Sequence, residues 1–410
     1  MRFSRLPKSI RKDILRAYII ITFILRLSRV QEIFSLCMPF RYNIFSKMEN
    51  KKRQGHMKSK VYFLPLDRLG EFDKAVSGTG IFDRFEKGDR VALKLHFGSM
   101  GHDNTIPAGY ISGIISVLLQ KGCFPFLTDT NVLYRDDRDA TLTHLEVASK
   151  NGYDRLGTPI VIAGGDNSDN SVSIKGKSKY YDEFHIAREY TEVEGMIALT
   201  HFKGHGLACI GGTIKNLGMG CASRKGKFAM HANITPDIKK KKCIGCGLCV
   251  KKCPAHAISL VKKTASINQA KCIGCAQCVH TCPHGVIGIP WFSVTPQEFQ
   301  EKIAEYANCA RNLFGKKFFA VNFLVNITSL CDCETNPGKK IAPDMGVLFS
   351  CDPVAIDRAC VDMVTAAQGP DIPAGEEKFS RTRPGSHPHF QLDHAEKTGL
   401  GRNDYEIINL

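Results

Sequence analysis

"KKFFAVNFLVNI", residues 316–327, is an almost unbroken run of branched and aromatic side chains. A strand with one solvated face alternates apolar and polar residues, whereas a continuous apolar run marks a strand covered on both faces, the condition of parallel sheets. Runs of the same kind stand far upstream: "RVALKLHF" (90–97), "FPFLTDT" (124–130), "TPIVIAGG" (158–165) and "GMIALTHF" (195–202). "MGVLFSC" (345–351) follows. Between them lie helical stretches. "IPAGYISGIISVLLQKG" (106–122) has helical periodicity and a glycine stop, and "DPVAIDRACVDMVTAA" (352–367) opens with Asp352 as N-cap and Pro353 at the first helical position. Strands alternating with helices predict an α/β domain, a mostly parallel sheet with helices on both faces. Because the pattern resumes at 316, the cysteine-rich stretch before it reads as an insertion.

That stretch carries one motif twice: "CIGCGLCVKKCP" (243–254) and "CIGCAQCVHTCP" (272–283), 29 residues apart. The spacing C-x2-C-x2-C-x3-C-P wraps three thiolates around a [4Fe–4S] cluster and sends the fourth cysteine to the other cluster. Cys243, Cys246, Cys249 and Cys282 are therefore expected to hold one cluster, and Cys272, Cys275, Cys278 and Cys253 the other. Gly245, Gly247 and Gly274 let the backbone turn close to the sulfurs. Ile244, Leu248, Val250, Ile273 and Val279 are expected to shield the clusters. A pair of zinc sites is the competing reading of paired C-x-x-C motifs, but eight cysteines, both prolines and the crossing spacing favour iron–sulfur. Between the copies, "AISLV" (257–261) and "SINQ" (266–269) read as two strands joined by a turn; "GVIGIP" (285–290) repeats the layout.

Residues 238–290 resemble a bacterial-type dicluster ferredoxin at all eight ligand positions, which implies a small α+β module passing single electrons. The body, over about residues 60–410, resembles the family catalogued as domain of unknown function 362. The resemblance rests on "LKLHFG", "FLTDTN", "HFKGHGLACIGGTIKNLGMGCASRKGK", "LCDC" and "SCDPVAIDRACVD". It implies an α/β fold with a redox role and brings no settled reaction. The domains expected are a basic extension (1–57), the first part of the α/β domain (58–237), the ferredoxin-type module (238–290) and the second part of the α/β domain (291–410).

Charge and cysteine content narrow the class. Of the net +16, residues 1–60 supply +12, since fifteen Lys and Arg face only Asp13, Glu32 and Glu49. The nearly neutral remainder argues against nucleic-acid binding. Seventeen cysteines in a chain this long suggest a metal protein of a reducing compartment, the cytoplasm, rather than a disulfide scaffold. "AYIIITFIL" (17–25) would span roughly 13 Å as a helix against about 30 Å of hydrocarbon, too short to cross a bilayer. It reads as a membrane-surface helix or as sequence upstream of a natural start at Met48 or Met57. A chain beginning at Met57 is expected to fold.

Two further stretches follow strands, where α/β proteins place ligand loops. "HFKGHGLACIGGTIKNLGMGC" (201–221) holds His201, Lys203, His205, Cys209, Lys215, Asn216 and Cys221 among six glycines. Lys215 with the glycine-rich backbone suits an anion cradle, or the glycines serve a dense turn packed on the cluster module. "LCDCE" (330–334) offers two thiols to a metal, or buries them. Taken together, His201, His205, Cys221, Cys331 and Cys333 form a candidate further metal site. Asp129 reads as a turn former, a ligand or a base, and His280 and His284 as surface residues. The functional expectation is electron relay from a redox partner protein or small carrier to a site on the α/β domain. A non-catalytic carrier with a docking domain, or a metal-delivery or assembly protein, are the alternatives.

Overall fold

The computed structural model describes residues 58–101, 105–166, 170–291, 293–334, 336–382 and 384–410. The expectations for residues 1–57 lie outside the described residues.

Eight strands form one sheet: β1 (Ser59–Pro65), β2 (Arg90–Lys94), β3 (Phe124–Thr130), β4 (Ile160–Ala163), β5 (Gly195–His201), β6 (Phe318–Leu324), β7 (Gly346–Ser350) and β8 (Tyr405–Asn409). Their order is β8-β1-β7-β6-β5-β2-β3-β4. Every neighbouring pair is parallel except the two that involve β7. A loop without a crossover helix among the described residues joins β6 to β7, and β7 returns antiparallel beside it. β8, and a helix at Pro296–Asn312, are elements the periodicity did not single out.

Side chains alternate between two cores. Ala92, Met196, Ala198, Phe318, Ala320 and Leu348 enter one. Val91, Leu93, Ile197, Leu199, Phe319, Val321 and Phe349 enter the other. The helices Thr213–Cys221, Pro296–Asn312 and Pro353–Ala366 contribute to the first core, and Gly109–Gln120 to the second. All seven residues of β6 are buried, as its unbroken apolar run requires. Burying each of its large side chains stabilises by ~1.5–3 kcal/mol before entropy is counted. Asp352 does cap its helix: Oδ1 accepts from the amides of Val354 at 2.9 Å and Ala355 at 3.0 Å.

The chain leaves this body at Asp237–Ile238 and returns at Ile287–Gly288, two short strands paired antiparallel. Between them a hairpin joins Ile258–Val261 to Thr264–Ile267. The "GVIGIP" strand therefore pairs with the entering chain. The two cysteine motifs share their backbone conformation: Gly245 and Gly274 have φ of 70° and 67°, while Gly247 and Ala276 have φ of 75° and 55°. A third core gathers Cys249, Cys278, Cys282, Val279, Ile258 and Ile287 with Leu133 and Phe228 of the body. Among the described residues no helix is long and apolar enough to cross a membrane.

Candidate functional site

From β2 the chain steps outward to β3 and β4, then jumps back to β5 on the other side of β2. In an open parallel sheet the crevice beyond the carboxyl ends at such a reversal is where ligands bind. Here a cavity of about 490 Å³ opens there, reached by Lys94 and Asp129 from β2 and β3, and by Thr200 and His201 from β5.

Asn216 holds the split open at a fixed width. Its Nδ2 donates to the carbonyls of Lys94 (3.2 Å) and Leu199 (3.1 Å), while its Oδ1 accepts from Lys94 Nζ at 2.9 Å. Lys94 Nζ also donates to Asp129 Oδ1 at 2.9 Å, and His96 Nδ1 lies 3.1 Å from Asp129 Oδ2. Burial pushes the Asp129 carboxyl up, but Lys94 and His96 outweigh it and hold it well below the usual range. Asp129 is thus a buried counter-ion rather than a turn former.

The five residues proposed for a metal site do not all converge. His205, Cys331 and Cys333 do: their ligand atoms lie within 4.8 Å of one another. His201 does not join them as a ligand. Its Nδ1 faces Asp332 Oδ2 at 2.8 Å and its Nε2 faces the Val325 carbonyl at 2.7 Å, so both nitrogens are engaged within the protein. Cys221 is fully buried in the core of the helical layer, where burial pushes its thiol up to about 12.

Two contacts bring the three residues together. Lys203 Nζ and His201 both reach Asp332, the residue between the two cysteines. Gly204 lies so close to the Ser329 carbonyl that a Cβ there would stand 2.1 Å from its oxygen. The glycine-dense stretch therefore packs against the C-x-C loop rather than the cluster module. Nor does it cradle an anion at the helix start: Asp357 Oδ1 and Oδ2 already accept the amides of Thr213 (2.7 Å) and Ile214 (2.8 Å).

Within the trio, Cys333 shares its proton with Cys331. That bond, with Lys215 and Lys203 nearby, holds the Cys331 thiol well below its ordinary value, while Cys333 is pushed up. The Cys333 amide donates to Cys331 Sγ at 3.4 Å. Burial, with Lys215 beside it, lowers His205 to about 3, so the ring is neutral at pH 7. Its Nδ1 accepts from the amides of Leu207 and Ala208 at 3.2 and 3.0 Å, so the neutral ring carries its proton on Nε2 and must give up that proton or the amide bonds before it can hold a metal.

The eight motif cysteines fall into two groups. Cys243, Cys246, Cys249 and Cys282 line one small cavity together. Cys275 feels the charges of Cys253 and Cys272, and Cys278 those of Cys275, Cys272, Cys253 and, from the other group, Cys249, with burial the larger influence in both. Amides donate to two of the sulfurs: Ala265 to Cys243 at 3.4 Å and Ala257 to Cys253 at 3.3 Å. Such bonds favour thiolates over thiols and suit a metal cluster. His284 is exposed, but His280 is not a surface residue: its ring packs 3.6 Å from Asp139, at the seam with the body.

That seam also borders the large cavity. Leu133, Tyr134 and Trp291 line the cavity while packing on the cysteine-rich core. Arg135 donates to the carbonyls of His280 and Cys282. Lys94, Lys227, Tyr134 and Trp291 were not singled out from sequence. Lys94 had left a signal, a lysine inside the apolar run of β2, where an unpaired charge does not survive.

No curated protein matches this chain. The solved structures it resembles include the lactate racemase apoprotein of Thermoanaerobacterium thermosaccharolyticum, at 14% identity and a TM-score of 0.36, covering 65% of this chain and 51% of that one. A protein of Thermotoga maritima is similar at 10% identity and a TM-score of 0.33, covering 62% and 50%. The chain thus matches about half the length of each. The family model described as "Domain of unknown function (DUF362)" matches residues 91–362, well over half of the chain. The chain belongs to the DUF362 family.

Proposed function

We propose that the protein is an iron–sulfur oxidoreductase component, in which two [4Fe–4S] clusters serve a reaction site in the cavity at the strand ends. The observation that carries this reading is that Cys243, Cys246 and Cys249 of the first motif copy line one small cavity with Cys282 of the second. Cys243, Cys246, Cys249 and Cys282 would hold one cluster; Cys272, Cys275, Cys278 and Cys253 the other. Bound clusters would supply storage and transfer of single electrons.

The residues around each set differ in a way that suits a relay. Cys246 is exposed, beside Ile244 (63% exposed) and Leu248 (42%). Cys275 and Cys278 are buried, and Gly274 sits against Phe228, on the helix that sends Lys227 and His231 into the cavity wall. Each set thus has two buried cysteines; Cys246 of the first meets solvent, and Gly274, between two cysteines of the second, leans on the cavity-wall helix. Residues 238–290 contain nine lysines and no aspartate or glutamate. A basic rim around exposed apolar side chains suits an acidic redox protein as partner.

In the cavity, Cys331 and Cys333 would bind one zinc or iron ion, joined by His205 once a ring nitrogen is freed of its proton or its amide bonds, with the remaining coordination place open to substrate, as in three-ligand catalytic sites. Cys333 would give up its proton on loading, and Asp332 would keep both thiols in place through Lys203. Anaerobic metal and sulfide analysis tests the reading. The expected content is about eight irons and eight sulfides per chain, and Cys253→Ser should perturb the cluster of Cys272, Cys275 and Cys278 in EPR. A chain purified anaerobically with zinc in place of iron would overturn it.

A further inference from the structure

The cavity is strongly cationic, and its charges are not all matched. Lys94, Lys203, Lys215, Lys227 and Arg138 line it, against the carboxylates of Asp129 and Glu334. Three of the five are neutralised by a dedicated carboxylate: Lys94 by Asp129 at 2.9 Å, Lys203 by Asp332 at 2.6 Å, and Arg138 by Asp136 at 2.7 Å. Lys227, only 5% exposed, has no carboxylate; its Nζ donates to Thr130 Oγ1 at 2.6 Å and the Met219 carbonyl at 3.0 Å. Lys215 forms no ion pair among the described residues, although it follows the paired Thr213 and Ile214 amides on the same helix. Lys227 is thus a buried cation with no carboxylate partner, a costly arrangement unless something pairs with it, while the partly exposed Lys215 has Cys331 nearby as an anionic group.

Part of the remaining wall is apolar: Leu133, Met219, Phe299 and Trp291 face the same space. We infer that the cavity binds an amphipathic organic acid, its carboxylate met by the ammonium groups of Lys215 and Lys227 and its apolar body by these four side chains. This names the substrate class of the reaction site proposed above and rests on that reading for its purpose, though not for its binding.

The geometry points to a carboxylate rather than a phosphate. Phosphate recognition draws on a free guanidinium fork or on helix-terminal amides. Both are spent here: Arg138 is held by both oxygens of Asp136, and the Thr213 and Ile214 amides by Asp357. Two ammonium groups remain, each a point charge suited to one carboxylate oxygen. The position is productive as well, since Lys215 also lies near Cys331 and His205.

A second consequence concerns protons. Lys227 is faced by Asp129, Lys94, Lys215 and Cys221. Burial lowers it to about 7, and Asp129 only partly offsets that. An anion beside it favours the charged form, so binding should take up a proton and weaken as pH rises through 7.

The test is calorimetric titration of the full-length, anaerobically purified protein with hexanoate, its uncharged amide hexanamide, and inorganic phosphate. Hexanoate should bind, hexanamide and phosphate at least tenfold more weakly, and hexanoate affinity should fall between about pH 6 and pH 8. Lys215→Gln, on the cavity wall, should weaken hexanoate at least tenfold; Lys227→Met should do the same if it folds, and Lys241→Gln on the distant basic segment should not. Equal binding of hexanoate and hexanamide, tighter binding of phosphate, or unchanged affinity in Lys215→Gln would overturn the inference. Iron content is read on the same samples. Hexanoate binding in iron-free protein would sink the relay and spare the pocket, while full iron with no hexanoate binding would do the reverse.

Discussion

Lys203 Nζ donates to Asp332 Oδ2 at 2.6 Å, and both side chains are buried. Through this ion pair a residue just past β5 fixes a loop more than a hundred positions later, and with it the two thiols that flank Asp332. Burial alone would lower the lysine; Asp332 reverses that and raises it. Breaking such a pair from one side leaves a buried charge uncompensated, at a cost of about 3–5 kcal/mol. Asp332→Ala should therefore lower stability by that amount in urea titration, and Lys203→Met combined with Asp332→Asn should recover a good part of it. Full stability in Asp332→Ala would show that the loop is held by other contacts.

Gly204→Ala tests the second tie between the same loops. The new Cβ meets the Ser329 carbonyl oxygen at 2.1 Å, so backbone must move. The expected cost is about 1–3 kcal/mol, together with weaker zinc binding measured by competition with a chelator. A Gly204→Ala protein that binds zinc as tightly as the parent would separate His205 from the thiols.

Stability should depend on pH through buried neutral histidines. His144 is lowered to about 3 and His231 to about 4, in each case chiefly by burial. Unfolded histidine titrates near 6.5. Between about 6.5 and 4 the unfolded chain binds protons that the folded chain refuses, so stability is present above 6.5 and lost as pH falls. Each such group contributes up to ~1.4 kcal/mol per pH unit. His231→Phe, whose ring would stay between Trp291 and Phe299, should flatten the decline in urea midpoint between pH 7 and pH 5. An unchanged slope would assign the acid sensitivity elsewhere.

Reduction by an acidic electron-donor protein should be steered by the lysines of the cysteine-rich segment. Raising salt from ~0.05 M to ~0.5 M should slow it on the order of tenfold, because exposed charges are screened. Lys240→Glu and Lys262→Glu should slow it at low salt and flatten the salt dependence. If anionic vesicles bind the segment and the donor protein does not, the partner is a membrane surface instead.

The sequence by itself determined the elements and the chemistry they bear. Period and composition mark β2, β3, β5 and β6 within a few residues, because a strand covered on both faces has to be apolar throughout. The Asp352 cap and its following proline are equally local, since they satisfy amides two and three residues away. The C-x2-C-x2-C runs are local in the same way. What only the tertiary structure decided is which distant loops meet. His201 and His205 look equivalent in sequence, yet Asp332 and the Val325 carbonyl take both nitrogens of the first and leave the second beside Cys331 and Cys333. Cys221 follows the same strand but turns into the core at the far end of its helix. The reversal between β2 and β5, which makes the cavity, depends on strand order, and strand order is set by packing between segments that no local period records.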